Sequence, residues 1–139
     1  MANEWTPVEL YGLNNDGAPR RYTISDGVAI SKGQPLALLD SRVASAALAT
    51  SVAFAGIASE DHKPGIGVTS ISAYTDGVFL ATASGGITVG WSVAGSGGDN
   101  HAVSGAYVAG SGLNFGAGSL GYALSTAVND GIVQVRVQL

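Results

Sequence analysis

Short apolar runs alternate with polar turns along most of this chain. In residues 70–90, "SISAYTDGVFLATASGGITVG", apolar side chains occupy every second position around Ile71 and then form a run after Gly77. A period of two is typical of a half-buried β-strand. The Asp76-Gly77 step between two such runs predicts a β-hairpin, because both residue types tolerate positive φ.

Similar runs at 21–24, 35–40, 52–58, 121–124 and 132–137 predict further strands, and turn signals such as "NNDG", "KPG" and "NDG" separate them. Short strands with frequent turns are typical of β-barrels and sandwiches. We therefore predict an all-β, compact β-barrel or β-tulip-like domain with at most one short helix. The candidate helix is the alanine-rich stretch 40–50, which also suits a loop or an edge strand.

Parts of the sequence recur in the same order. The motif Ile-x-x-Gly that begins at Ile30 recurs at Ile87, and a second pair of similar segments is centred on Gly56 and Gly121. This order predicts an internal duplication. The predicted organisation is an N-terminal arm at 1–20 and one β-rich domain at 21–139, with the duplicated parts at 22–72 and 79–137.

The composition excludes several classes of protein. Charged residues make up 12% of the chain, against roughly 25% in an average soluble domain, and the net charge is −4. The six basic residues form no stripe that would follow a phosphate backbone, so we expect no direct nucleic-acid binding. The chain contains no cysteine, no basic leader and no uninterrupted apolar run of membrane-spanning length, so we expect no disulfide and no membrane partner.

The candidates for chemistry are few. His62 follows Glu60 and Asp61, but adjacent residues of a strand point in different directions, so we predict a solvated strand end rather than a metal site. His101 lies in a Gly/Ser-rich stretch and receives the same interpretation. No Gly-x-Ser-x-Gly nucleophile elbow occurs, and the glycine-rich stretches lack the Lys-Ser/Thr step of a phosphate-binding loop. We predict that the protein is not an enzyme, with no catalytic residue, no metal and no cofactor.

The order of four segments resembles a known family. The segments "GQPLALLD", "VAFAGIASEDH", "ISAYTDGVFLATASGGITVG" and "GSLGYALSTAVNDGIVQVRVQL" are similar to the head decoration, or capsid-cementing, proteins of tailed bacteriophages, over roughly residues 24–139. The resemblance implies a compact β-rich homotrimer, made in the host cytoplasm and bound to the outer surface of the expanded capsid. There it would clamp neighbouring copies of the major capsid protein, and no catalytic residue comes with the family.

The first residues of the chain are the candidate capsid contact. They precede the first clear turn and carry more apolar surface than an idle tail needs. We therefore predict that the capsid shell is bound through Trp5, Val8, Leu10 and Tyr11.

Two other functions stay open on the sequence alone. The first alternative is a β-domain displayed on the virion that binds a host-surface glycan through Trp91, Tyr107 or Asn114. The second is a small hydrolase that uses His62 or His101. Decoration differs from glycan binding in its target, since a decoration protein binds purified expanded capsids whereas a receptor module binds cells or glycans.

Overall fold

The computed structural model describes residues 4–11, 19–45, 53–95, 102–104 and 120–138. That part of the chain contains strands and no helix, which confirms the all-β prediction. The described residues accordingly contain no helix that could cross a membrane. The strands are β1 (Thr6–Leu10), β2 (Arg20–Thr23), β3 (Pro35–Asp40), β4 (Val43–Ser45), β5 (Phe54–Ala58), β6 (Ser70–Tyr74), β7 (Asp76–Thr82), β8 (Ser92–Gly95), β9 (Ala102–Ser104), β10 (Gly121–Ala123) and β11 (Ile132–Gln138).

The stretch proposed as a short helix begins differently. Asp40 ends β3, a turn follows at Ser41 and Arg42, and Val43–Ser45 forms β4, which pairs with β3. Of the two interpretations of 40–50, the helix is wrong for residues 40–45 and the non-helical alternative is confirmed there, while residues 46–50 lie outside the described residues. The predicted weak strands near 106–109 also lie outside them.

The first half of the chain forms a closed barrel of five strands in the order β2, β4, β3, β5, β6. A barrel with so few strands has a narrow interior, which small side chains fill. Its buried core accordingly combines a few aliphatic residues with alanines: Ile24, Ile30, Leu36, Ala44, Ala55, Ala58, Ile71 and Ala73. The alanines of this described core are thus a packing requirement.

The second half forms a six-stranded sheet in the order β1, β7, β11, β10, β8, β9. β11 shows the clearest alternation, with Val133, Val135 and Val137 fully buried. A parallel bridge joins Ala83, which directly follows β7, to Ala102, the first residue of β9. The parallel pairing of β2 with β4 makes the equivalent connection in the first half, where it closes the barrel.

The two halves share one pairing scheme. Leu36 lies opposite Gly56 in the first half, and Val93 lies opposite Gly121 in the second, so the segments that recur in the sequence occupy equivalent places in the two ladders. The backbone bridge between Ile30 and His62 has its counterpart between Ile87 and Ala127. Strands β2 to β6 therefore correspond in order to β7 to β11, and β1 is an addition to the second half.

The predicted hairpin at Asp76-Gly77 is wrong, although both flanking strands exist. β6 pairs with β2 and β5, whereas β7 pairs with β1 and β11, so Thr75 connects two sheets. Gly77 pairs with Leu10 at the end of the β1–β7 ladder, where an added Cβ would lie 2.6 Å from the backbone oxygen of Glu9. The glycine that resembled a turn signal is there because two strands approach closely.

The first residues are not a separate arm. β1 pairs with β7 along its length, and the backbone N–H of Trp5 donates a 2.8 Å hydrogen bond to the carbonyl oxygen of Gly33. The Trp5 side chain is 2% exposed and belongs to the larger core cluster, which combines residues of both halves. The predicted arm at 1–20 is therefore wrong for residues 5–10, while 1–3 and 12–18 lie outside the described residues.

Candidate functional site

An open groove runs along β1, the edge strand of the second sheet. The groove has a volume of about 500 Å³, and the described residues that line it are Pro7, Val8, Glu9, Leu10 and Tyr11. Pro7 lacks an N–H, and the pairing of β1 with β7 shifts register between Pro7 and Glu9. Proline and bulges are the usual means by which proteins prevent an edge strand from accepting another strand. The groove therefore favours side-chain contacts over backbone pairing.

Tyr11 is fixed at one end of this groove. Its hydroxyl donates a 2.8 Å hydrogen bond to Oε2 of Glu9, which lies two residues earlier, in β1. This bond, together with desolvation and the negative charge of Glu9, raises the pKa of Tyr11 above its ordinary value of 10.0. The phenol thus stays neutral at physiological pH, and its ring is presented in a defined position.

Arg136 lies over the ring of Tyr11. Its guanidinium carbon lies 4.6 Å from the ring centroid, within the range of a cation–π interaction. Its Nη1 atom also contacts Oδ1 of Asp76 at 2.5 Å and the carbonyl oxygen of Val137. The charge of Arg136 is thereby balanced by an acid on the neighbouring strand, so the groove presents Glu9 as its charged group among the described residues.

Three of the four predicted contact residues lie together in this groove, namely Val8, Leu10 and Tyr11. Val8 is 50% exposed and Tyr11 is 36% exposed, whereas Leu10 is partly buried against the core. Trp5 is the exception, because its side chain is buried inside the protein and offers nothing to a partner.

Sequence reasoning missed Glu9, Asp76 and Arg136. Arg136 lies between the buried Val135 and Val137, so alternation places its side chain on the outer face of β11. The sequence does not show that β11 pairs with β7 and that β7 pairs with β1. These two pairings bring Arg136 next to Tyr11.

His62 lies in the first half and is not a solvated strand end, so that prediction is wrong. Its side chain is buried, its Nδ1 lies 2.5 Å from the carbonyl oxygen of Val28, and its Nε2 lies 2.7 Å from that of Val68. Because a carbonyl only accepts, both nitrogens donate together only in the imidazolium form. The hydrogen bonds to Val68 and Val28, in that order, raise the pKa of His62 above 6.5 against the opposing effect of desolvation, and the charges of Asp26 and Glu60 act in the same direction as the bonds.

We expect His62→Ala to lower the free energy of unfolding by about 1–2 kcal/mol at acid pH, because two carbonyls lose their donor. The folded-state pKa is raised, so this contribution is complete below pH 6.5 and is lost as the pH rises through the folded pKa. Urea unfolding of the wild type and the variant across a pH series measures the difference. The equivalent position of the second half carries Ala127 with the same backbone bridge, so the variant is expected to fold.

Ser59→Ala is the matched control, since it removes the 3.0 Å hydrogen bond from Ser59 Oγ to the Ser72 carbonyl without removing a titrating group. Its effect is expected to be independent of pH. A His62→Ala difference that stays constant from acid to alkaline pH contradicts the assigned imidazolium.

The described residues offer no further constellation for chemistry. They contain no group of three or more His, Asp or Glu side chains that could hold a metal ion. Of the remaining candidates for glycan binding or hydrolysis, Trp91 is partly buried, and His101, Tyr107 and Asn114 lie outside the described residues.

A solved structure of a phage protein is similar to this chain over most of its length. No family model matches the chain. No curated protein matches it either. Among solved structures, the N base of the head fiber protein gp8.5 of bacteriophage phi29 is 17% identical, with 86% of this chain and 92% of that chain covered and a TM-score of 0.45. A likeness at this identity and TM-score carries no inference about what the present chain does.

Proposed function

We propose that this chain is a structural protein of a phage virion, which decorates the outer surface of the expanded capsid as a homotrimer and cements neighbouring copies of the major capsid protein. The order of the four segments that resemble capsid-cementing proteins supports this function. An all-β body with a tightly packed core, in which the buried His62 is held by two backbone carbonyls, suits a rigid and chemically inert component.

The β1 groove is the proposed capsid contact, with Val8, Leu10 and Tyr11 as its apolar part. The observation that carries this assignment is a partly exposed apolar edge whose geometry is already fixed. β7 holds the backbone, while Glu9 and Arg136 hold the Tyr11 ring. Groups that are ordered before binding lose little conformational entropy on binding, so more of the contact energy appears as affinity.

The energy of one groove contact is modest. Complete burial of an aliphatic side chain contributes about 1.5–3 kcal/mol, and Val8 is already half-buried in the free protein. A trimer that engages several shell subunits gains avidity without new contacts, because each later contact forms at a high effective concentration. Modest contacts repeated over three copies are therefore sufficient for stable decoration.

We expect Val8→Asp to reduce binding to purified expanded heads by roughly tenfold or more per contact, since it replaces an apolar contact by a charge that must be desolvated. Because Val8 is half exposed on an edge strand, the variant is expected to fold. Co-sedimentation of protein with heads measures occupancy.

Leu39→Asp is the matched control, an equivalent change at a 70% exposed position on β3. It is expected to bind heads like the wild type. Wild-type binding by Val8→Asp excludes the groove as the contact. If the wild-type protein binds cells or glycans and not heads, a displayed glycan-binding domain replaces decoration as the function.

A further inference from the structure

Four exposed aliphatic side chains lie at one end of the second half. They are Val89, Leu124, Val128 and Ile132, with exposed fractions of 54%, 39%, 75% and 59%. We name this set the apolar corner. It is separate from the β1 groove, since none of its members is among the described residues that line that groove.

Hydrogen bonds and one backbone bridge place the segments that carry these four residues next to one another. The N–H of Val89 donates a 3.1 Å hydrogen bond to Oγ1 of Thr126, and Ile87 is bridged to Ala127, which precedes Val128. A turn hydrogen bond of 2.9 Å joins Gly131 to the carbonyl of Val128, next to Ile132. Leu124 donates to the carbonyl of Gln134 at 2.7 Å, and Gln134 shares the outer face of β11 with Ile132.

The first half shows which residues the same backbone carries at the equivalent positions. The N–H of Lys32 donates to Oδ1 of Asp61 at 2.7 Å, the counterpart of the Val89 to Thr126 bond when the two halves are aligned on their repeated segments. In this alignment the four aliphatic residues correspond to polar ones in the first half: Lys32, Ser59, Lys63 and Ser70. The fold therefore does not require aliphatic side chains at these positions.

We propose that the apolar corner is the surface through which copies of this chain bind one another. The inference rests on the proposed function in one respect, because it supplies the contact that a homotrimer needs. The groove along β1 then stays free to face the shell.

The absence of charge within the corner is compatible with a second copy as the occupant. The protein carries a net charge of −4, so its copies repel one another except where their contact is nearly uncharged. The described residues place two acids beside the corner, namely Asp130 in the turn between Val128 and Ile132, and Glu4, which lines a shallow pocket together with Ile132. The four side chains of the corner themselves carry no charge, which suits association between copies of an acidic protein.

The area of the corner agrees with this occupant. Four aliphatic side chains that are on average somewhat more than half exposed present on the order of 150–300 Å² of apolar surface. A standard interface buries about 800 Å² on each partner, of which somewhat more than half is apolar. The corner thus provides a large part of the apolar area that a stable association between two copies needs, with the rest supplied by its polar rim.

The double substitution Val89→Lys and Val128→Lys tests this proposal. It gives the second half the lysines that the first half carries at the equivalent positions. Sedimentation velocity of the full chain over a wide concentration range measures association. We expect the wild type to form trimers and the double variant to associate roughly 100-fold more weakly. An unchanged far-UV circular dichroism spectrum and a single unfolding transition verify that the variant is folded.

Ile66→Lys is the matched control, because Ile66 is 63% exposed in the first half and outside the corner. It is expected to associate like the wild type. Wild-type association of the double variant overturns the assigned surface, and so does a wild-type protein that is monomeric at every concentration. Head binding by the wild type and by Val8→Asp is measured separately, so failure of this proposal is distinguishable from failure of the decoration function.

Discussion

Replacing Trp5 with alanine is expected to lower the free energy of unfolding by about 3–5 kcal/mol, the range for a large buried aromatic side chain. Trp5 is 2% exposed and belongs to the same core cluster as Phe54, Ile57 and Phe79, so it packs with residues from both halves of the chain. Since a whole domain is stable by about 5–15 kcal/mol, this one change removes a large fraction of the total. Deletion of residues 1–11 is expected to destabilise the protein at least as much, rather than leave a trimmed but folded body.

Val8→Ala is the control for this prediction, because Val8 lies three residues further along the chain, in β1, and is 50% exposed. Its cost is expected to stay within about 1 kcal/mol. Urea unfolding of both variants measures the two values. A Trp5→Ala protein as stable as Val8→Ala means that Trp5 does not belong to the core, and it restores the sequence-based prediction of an external arm.

Most strands were predictable because each strand leaves its own local signal. Alternation in 132–137 and the apolar run at 35–40 correspond to β11 and β3. The recurrence of the segments around Gly56 and Gly121 was also visible in the sequence, and it reappears in the ladders of the two halves. Both signals are local or repeated, so one sequence is sufficient to reveal them.

The pairing of strands was not predictable from the same signals. The Asp76-Gly77 step satisfies the composition of a hairpin turn, but the glycine is required by the close approach of Glu9, which lies in a distant part of the sequence. The burial of Trp5 likewise depends on Gly33, to which its backbone is bonded. Contacts between distant segments leave no trace in local periodicity, so the hairpin and the arm were both wrong.

The candidate site was half predictable for the same reason. Val8, Leu10 and Tyr11 are apolar residues in a polar segment, which one sequence shows, whereas the support from Arg136 needs two strand pairings. The burial of His62 was predictable from the internal repeat, although not from the residues next to it. In the alignment of the two repeated segments it matches Ala127, a small apolar residue, and this alignment indicates a buried position.

Gly121→Ala is expected to cost about 3 kcal/mol or more, the upper end of overpacking effects. An added Cβ at Gly121 would overlap the carbonyl oxygen of Arg136, a backbone atom of the neighbouring strand β11. Relief requires β10 and β11 to separate, which breaks their hydrogen bonds. Gly56, the equivalent residue of the first half, meets the same obstacle at the carbonyl oxygen of Tyr74, so Gly56→Ala is expected to be similarly destabilising.

Gly27→Ala controls for the loss of a glycine as such, since an added Cβ there meets no atom within 4 Å. It is expected to change the free energy of unfolding by less than about 1 kcal/mol. Thermal or urea unfolding of the three alanine variants separates the outcomes. If Gly121→Ala and Gly27→Ala unfold alike, β10 and β11 do not approach as closely as the structure describes. If Gly56→Ala and Gly121→Ala are both strongly destabilised, close strand approach at this position is a requirement that the two halves share, and it explains why both carry glycine there.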